Sequence, residues 1–275
     1  MRIDAHHHFW NYNAAEYGWI PESLPNLCRD FGPIDLQREL AITGIDGVVT
    51  VQARQTVEET RWLLELADTH DFIRAVVGWA PLISESLAND LDRFGKHPKL
   101  RAVRHVLQDE HDEYMARNDF NRGLSMLVGR GIVYDILIFE RQLRAAIALV
   151  DRHPNQVFVL DHLAKPRIRD QVLQPWRDNL FELSRRPNVY CKLSGIITEA
   201  DHATWSAADL KPYVDAALEA FGPSRLMFGT DWPVCLLAGS YERWHMTVSE
   251  LTARLSVDEQ AWLMGRTAIL AYNLK

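Results

Sequence analysis

Asp4-Ala5-His6-His7-His8-Phe9-Trp10 opens the chain as a short apolar strand that ends in ionisable side chains. Side chains alternate along a strand, so His6 and His8 are expected on one face with Asp4, and His7 on the other. Two imidazoles converging at a strand end can hold a divalent metal or hydrogen-bond a substrate oxygen. An affinity-tag remnant is the bland alternative, but tags usually carry about six histidines and do not close an apolar strand.

The same ending recurs along the chain. Apolar runs rich in β-branched residues return roughly every thirty residues, each followed by a segment of helical periodicity. The expected strands are 2–5, 47–52, 73–79, 101–104, 132–137, 157–161, 188–193 and 226–229. Between them the spacing predicts helices over 36–42, 57–70, 84–95, 140–152, 172–185 and 211–221, with Gly44, Gly95, Pro154, Pro187 and Gly222 as stops. Repeated βα units fit an open doubly wound sheet or a closed barrel. No G-x-G-x-x-G or Walker sequence follows any strand, whereas ionisable residues sit at the carboxyl end of nearly all of them. A distorted (β/α)8 TIM barrel is therefore expected, a single domain spanning 1–275. The stretch from Asn11 to Pro33 is too long for a plain βα loop and is expected to form a lid over the barrel mouth.

Composition narrows the function classes. Of 275 residues, 47% are hydrophobic and 24% charged, which is globular usage. A formal charge of -7 with no basic run argues against a nucleic-acid partner. No apolar run approaches the roughly 20 residues that span a bilayer, and the N-terminus lacks the apolar core of a signal peptide, so no membrane partner and a cytoplasmic location are expected. Cys28, Cys191 and Cys235 are widely separated and form no C-x-x-C pair, which suits a reducing compartment.

Two further strand ends carry chemistry. In Met227-Phe228-Gly229-Thr230-Asp231-Trp232-Pro233, Asp231 follows an apolar strand. In a closed barrel strand eight pairs with strand one, which would put Asp231 beside His6 and His8. Val159-Leu160-Asp161-His162-Leu163-Ala164-Lys165-Pro166 ends a strand in the same layer, with His162 on the face of Leu160 and Phe158. Contacts to substrate are expected from the other strand ends: Gln52 and Arg54, Trp79, Arg104 or His105, and Lys192, with Trp10 and Trp232 as stacking platforms. Adjacent strand residues cannot both face inward, so Arg104 is slightly favoured over His105.

These residues carry a resemblance. Ile3-Asp4-Ala5-His6-His7-His8-Phe9-Trp10, Val103-Arg104-His105-Val106-Leu107-Gln108, Asp161-His162-Leu163-Ala164-Lys165-Pro166, Lys192-Leu193-Ser194-Gly195 and Phe228-Gly229-Thr230-Asp231-Trp232-Pro233 resemble, in order and spacing, the amidohydrolase superfamily. Within it they are similar to the amidohydrolase 2 group and its sugar lactonases of the L-fuconolactonase and L-rhamnonolactonase type. The resemblance covers essentially the whole chain. It implies a distorted (β/α)8 barrel that hydrolyses a sugar-acid lactone, with His6 and His8 from strand one, His162 from strand six, and Asp231 from strand eight as base.

One departure bears on mechanism. Binuclear members present Lys or His at the end of strand five, where this chain reads Ile132-Val133-Tyr134-Asp135-Ile136-Leu137. A second metal is not expected. His6, His8 and Asp231 supply the three protein ligands of an open catalytic site for one divalent ion, zinc foremost, with His162 as an optional fourth; the resembling group also includes members that work without metal. No organic cofactor is expected. A free carboxylate is a weak base, so either a metal lowers the pKa of the attacking water or the apolar mouth raises that of Asp231. The rival reactions are opening of a dicarboxylate lactone, which needs several Arg at the mouth, and metal-dependent decarboxylation on the same fold. A small-molecule sugar lactone is the expected partner, with homodimer formation through the outer helices left open.

Overall fold

The computed structural model describes residues 1–275. Eight parallel strands run β1 (Ile3–His7), β2 (Gly47–Val51), β3 (Ile73–Gly78), β4 (Leu100–His105), β5 (Val133–Ile136), β6 (Phe158–Leu160), β7 (Val189–Leu193) and β8 (Leu226–Phe228), hydrogen-bonded in that order. Asp231 N and Thr230 N reach His6 O at 2.7 and 3.2 Å, and His8 N reaches Trp232 O at 2.7 Å. These bonds join the segment after β8 to β1, and the sheet becomes a (β/α)8 TIM barrel of one domain.

The outer ring contains α1 (Pro33–Thr43), α2 (Val57–Thr69), α3 (Leu87–Phe94), α4 (Asn118–Val128), α5 (Leu143–Arg152), α6 (Trp176–Ser184), α7 (Ala207–Phe221) and α8 (Tyr241–Leu251). Short helices α9 (Val257–Ala261) and α10 (Thr267–Ala271) complete the chain. Local chemistry sets their ends. Thr56 accepts from Glu59 N at the start of α2, and Ser206 with Asp209 boxes the start of α7. Gly44 takes φ +67° at the end of α1, a conformation that favours glycine. No helix is long and apolar enough to cross a membrane.

The expected segments fall on observed elements, with ends moved by a few residues. Two differences matter for the site. The alternation expected for Asp4, His6 and His8 fails: Asp4 pairs with Val48 but His7 with Thr50, so β1 carries one extra residue in a bulge. Ala5 lies in the barrel interior with Ile3, while Asp4 faces the helices and accepts from Thr230 Oγ1 (2.6 Å) and Tyr241 OH (3.0 Å). After the bulge, His6 turns inward and His7 outward to Thr50 Oγ1 at 2.8 Å. The second difference lies after β6, where His162, Leu163, Ala164 and Lys165 all take φ between +51° and +60°. Four consecutive left-handed residues are costly for side chains with a Cβ and depend on the surrounding packing.

Inside the barrel, the lower layers are small and apolar: Ile3, Ala5, Val49, Val51, Ala75, Val77, Ala102, Val133, Val159 and Met227, closed from below by Ala268, Ala271, Tyr272 and Leu274. A larger apolar layer fills the space between strands and helices. Above the lower layers the interior becomes ionisable.

Candidate active site

The carboxyl ends of the strands surround a cavity of about 560 Å³, within the range of small-molecule sites. His8, Gln52, Arg54, Arg104, His162 and Asp231 line it. At its floor three atoms converge. His6 Nε2 and His8 Nε2 are 3.2 Å apart, and Asp231 Oδ1 lies 3.2 Å from His8 Nε2 and 3.5 Å from His6 Nε2. His162 Nε2 stands 3.9 Å from the same oxygen. Asp231 is turned toward this cluster by its own left-handed backbone, at φ +60°.

The surrounding bonds hold the cluster in place. His8 Nδ1 lies 2.8 Å from Val51 O. A carbonyl only accepts, so His8 Nδ1 carries a proton, and the ring is held with Nε2 toward the cluster. His162 Nδ1 lies 2.9 Å from Ser194 Oγ. Gly195 lets that imidazole seat, because a Cβ there would come within 2.4 Å of His162 Nδ1, and its φ of +63° also favours glycine. Arg104 reaches inward and gives Nη1 to Asp161 Oδ2 (2.9 Å) and Nη2 to Gln52 O (2.6 Å).

The electrostatics follow from burial and from these neighbours. Burial alone would raise Asp231, but the imidazoles of His162, His8 and His6 outweigh it and hold its carboxyl well below the usual carboxylate range. Burial pushes His162 down to about 4, against the pull of Asp231 and Asp161. It lowers His6 as well, assisted by Lys192 and opposed by Asp161. Of the two routes to a competent base, the lowered carboxyl of Asp231 speaks for an activated water rather than a raised carboxylate.

The donor set fits one divalent ion. Ligands 2.0–2.1 Å from a tetrahedral zinc are separated by roughly 3.3–3.4 Å, and the three atoms here are 3.2–3.5 Å apart. A second set, His6, Asp161 and His162, also converges. It is already served by fixed cations, since Arg104 Nη1 and Lys192 Nζ each lie 2.9 Å from Asp161. Asp135, at the strand-five position, is likewise engaged by Lys192 Nζ at 2.6 Å and by Tyr272 OH.

Several residues expected to touch substrate lie elsewhere. Lys192 is fully buried beneath the floor. Trp10 and Trp232 are buried and pack edge-on against Phe31, turned away from the cavity. His105 turns outward, stacks on Tyr114 and meets Glu110 at 3.0 Å, while Trp79 Nε1 points at His105 Nδ1. Arg104 and His105 thus face opposite ways, as alternation requires. The aromatic wall is instead Trp19, from the segment between Asn11 and Pro33, which also contributes Glu16 to the lining. That segment is tied at its base, where Trp10 and Phe31 exchange backbone hydrogen bonds, and Trp19 Nε1 donates to Ala53 O at 3.0 Å. Lys165 also lines the cavity, and Asp161 sits under it with three cationic or imidazole neighbours. Neither was expected. Strict alternation allows only one of Asp161 and His162 to face inward, and the left-handed turn at His162 brings in both.

Comparison with known proteins follows the same lines. The chain is 44% identical over 286 aligned positions to an L-fucono-1,5-lactonase of Burkholderia multivorans, covering 100% of this chain and 96% of that protein. It is 37% identical over 279 positions to an L-fucono-1,5-lactonase of Burkholderia ambifaria, again covering 100% and 96%. Among solved structures, an amidohydrolase from Burkholderia multivorans with bound zinc superposes with a TM-score of 0.96 at 44% identity, over the full length of both chains. The family described as amidohydrolase matches residues 3–274, and with the barrel and its strand-end cluster in place, the chain belongs to that family.

Proposed function

We propose that the cavity opens the ring of an L-fucono-1,5-lactone or a closely related aldonolactone, with Asp231 as base. The chain is a hydrolase acting on the ester bond of sugar-acid lactones, as the whole-chain likeness to two L-fucono-1,5-lactonases supports. The observation that carries the finer reading is charge compensation at the mouth. Each cationic side chain of the lining has a carboxylate: Arg54 has Glu16 and Glu59, Arg104 has Asp161, and Lys165 has Glu199. Glu16 and Asp109 add exposed acceptors to the lining. Such a wall suits the hydroxyls of a neutral ring and disfavours a dicarboxylate, which would need unpaired guanidinium groups.

His6, His8 and Asp231 are the residues that would hold one divalent ion, zinc by the chemistry of the set and by the zinc-bound relative. Bound there, the ion would supply a water of lowered pKa and positive charge for the carbonyl oxygen. The side chains do the rest. Water oxygen forms the new bond to the lactone carbonyl carbon, and its proton passes to Asp231, which is anionic at neutral pH. His162, fixed through Ser194, faces the developing oxyanion together with Arg104, which Gln52 holds in place. The ring carbon–oxygen bond then breaks, and the proton on Asp231 goes to the departing hydroxyl. Three unpaired thiols agree with a cytoplasmic location. Pairing into a homodimer through the outer helices belongs to the same proposal, since Ile34 and Ile42 of α1 are exposed; light scattering reads it, and a monomer's mass would contradict it.

Acid release from L-fucono, L-rhamnono, D-arabinono and L-galactono lactones, followed with a pH indicator and corrected for spontaneous opening, tests the substrate. Fast opening of a stereochemical subset headed by L-fucono-1,5-lactone is expected. No acceleration across the panel would overturn the reading.

A further inference from the structure

The polar groups of the cavity wall divide by what they are already bonded to. On one side they are committed to one another. Trp19 Nε1 donates to Ala53 O at 3.0 Å, Arg104 Nη2 donates to both the backbone and the side-chain oxygen of Gln52, and Arg54 is paired with Glu16 and Glu59. The other side is built from the segments that follow β4, β5 and β6, and its polar side chains are free. Gln108 and Lys165 both line the cavity. Gln108 Oε1 is buried without a partner, and Lys165 Nζ stands 4.0 Å from the Glu199 carboxylate, beyond hydrogen-bonding distance. Glu199 therefore offsets the charge of the ammonium and leaves its three N–H groups without an acceptor. Gln55 gives its oxygen to Val106 N, and Asp109 is exposed to bulk water, so neither is free in the same way.

Both residues are held where they stand. Gln108 closes the stretch Val103–Gln108 and has no part in the chemistry above, yet its N–H donates to Leu137 O at 2.9 Å and ties the turn after β4 to the end of β5. Lys165 belongs to the left-handed turn that carries His162, with φ at +51°, its N–H on His162 O at 2.8 Å, and its ammonium 5.3 Å from the centroid of the Phe139 ring. Backbone of that kind is costly at a residue with a Cβ and is concentrated at ligand sites. Leu137, from the strand between them, gives the lining an apolar stretch. We propose that Gln108 and Lys165 select the lactone by its hydroxyls. The Lys165 ammonium donates to one hydroxyl oxygen, the Gln108 carboxamide bonds a second hydroxyl, and Leu137 packs against the ring carbons. Rotation about the last side-chain bond of Gln108 presents either its oxygen or its amino group, and a hydroxyl can answer both. A bare methylene in the same place would displace water and leave both residues unpaired, which is the basis for rejecting a ring without hydroxyls.

This inference rests on the lactonase reading above, and the tests keep the two apart. Wild type, Lys165→Met and Gln108→Leu are compared on L-fucono-1,5-lactone and on δ-valerolactone, the same six-membered ester ring without hydroxyls. The preference in kcat/KM for the hydroxylated ring should narrow about 10- to 100-fold in Lys165→Met, where a charge-assisted bond is lost, and about 3- to 10-fold in Gln108→Leu. Lys165→Arg keeps the donors and should retain more of the preference than Lys165→Met. An equal fall on both rings in each variant would overturn the inference and leave the lactonase reading standing, whereas opening of neither ring by the wild type would overturn the lactonase reading itself. A crystal structure of the wild-type protein with L-fuconate, the ring-opened product, gives an independent answer. Lys165 Nζ and the Gln108 carboxamide should each lie within about 3 Å of a product hydroxyl. Product bound in the cavity without contact to either residue would overturn the inference.

Discussion

Within one barrel, the same eight strands build two unlike layers. The lower one is made of small apolar side chains such as Ala75, Ala102, Val133 and Met227, and needs nothing beyond close packing. The upper one places Asp135, Asp161, Asp231, Arg104, Lys192 and three histidines within a few ångströms, nearly all out of reach of water. Buried charge is tolerated there because each carboxylate has a cationic or imidazole partner, and because the rigid layer below holds the partners at hydrogen-bonding distance. Asp135 marks the boundary: burial pushes its carboxyl up to about 6 even with Lys192 on it. The lower layer therefore serves geometry and the upper layer chemistry, and substitutions in the two should fail differently.

The largest effect is expected at Asp231. On the proposed mechanism Asp231→Asn removes both the proton acceptor and a ligand, and should lower kcat by about 10³-fold or more while the melting temperature stays within a few degrees. Steady-state acid release with a thermal melt checks both halves. Next comes the buried ion-pair layer. Lys192→Met leaves Asp135 and Asp161 without their shared ammonium and should cost about 3–5 kcal/mol of stability, read by denaturant titration. Met227→Ala, one layer lower, should cost about 2–5 kcal/mol by opening a cavity, yet leave KM and kcat close to wild type. If Met227→Ala disturbed catalysis as much as stability, the division between layers would fail.

Smaller effects are expected at the rim. Glu59 is buried and accepts from Ala53 N, Arg54 N and Tyr17 OH, so it ties the loop after β2 to the lid. Burial raises its carboxyl to about 7, above the roughly 4.3 of an unfolded chain. A raised acid contributes stability that is fully present below about pH 4.3 and lost as the pH rises through about 7. Glu59→Gln should therefore gain on wild type in melting temperature between pH 5 and pH 8; a constant difference across that range would show that Glu59 is ionised throughout. The smallest change is expected for Trp19→Ala, a several-fold rise in KM with kcat nearly kept, because Trp19 forms only part of the cavity wall.

The barrel is legible because its signals repeat: short apolar runs, helical spacers and an ionisable residue at most strand ends. The helices Asn118–Val128 and Tyr241–Leu251 lie outside the segments that spacing predicts, and for the first there is a physical reason. Gly123 weakens its pattern, yet glycine is needed there because a Cβ would come within 2.1 Å of Leu82 O. His6, His8, His162 and Asp231 do converge, since strand ends in a closed barrel must. What alternation could not foresee were its two local failures, the bulge in β1 and the left-handed turn after β6. The first turns Asp4 out toward Tyr241, and the second brings Asp161 in beside His162. Trp10 and Trp232 flank the motif residues in sequence but are turned outward by the same backbone, and the lid residue Trp19 takes the place expected of them. Nothing in a one-dimensional pattern marks which tryptophan of a long loop folds back over the mouth.

Charge compensation at the mouth is tested most directly by comparing kcat/KM for L-fucono-1,5-lactone with that for a pyrone dicarboxylate, on zinc-supplemented enzyme at one ionic strength. The neutral sugar lactone should be favoured by about 10³-fold or more, because Arg54, Arg104 and Lys165 already have carboxylate partners. Equal or faster opening of the dicarboxylate would contradict it.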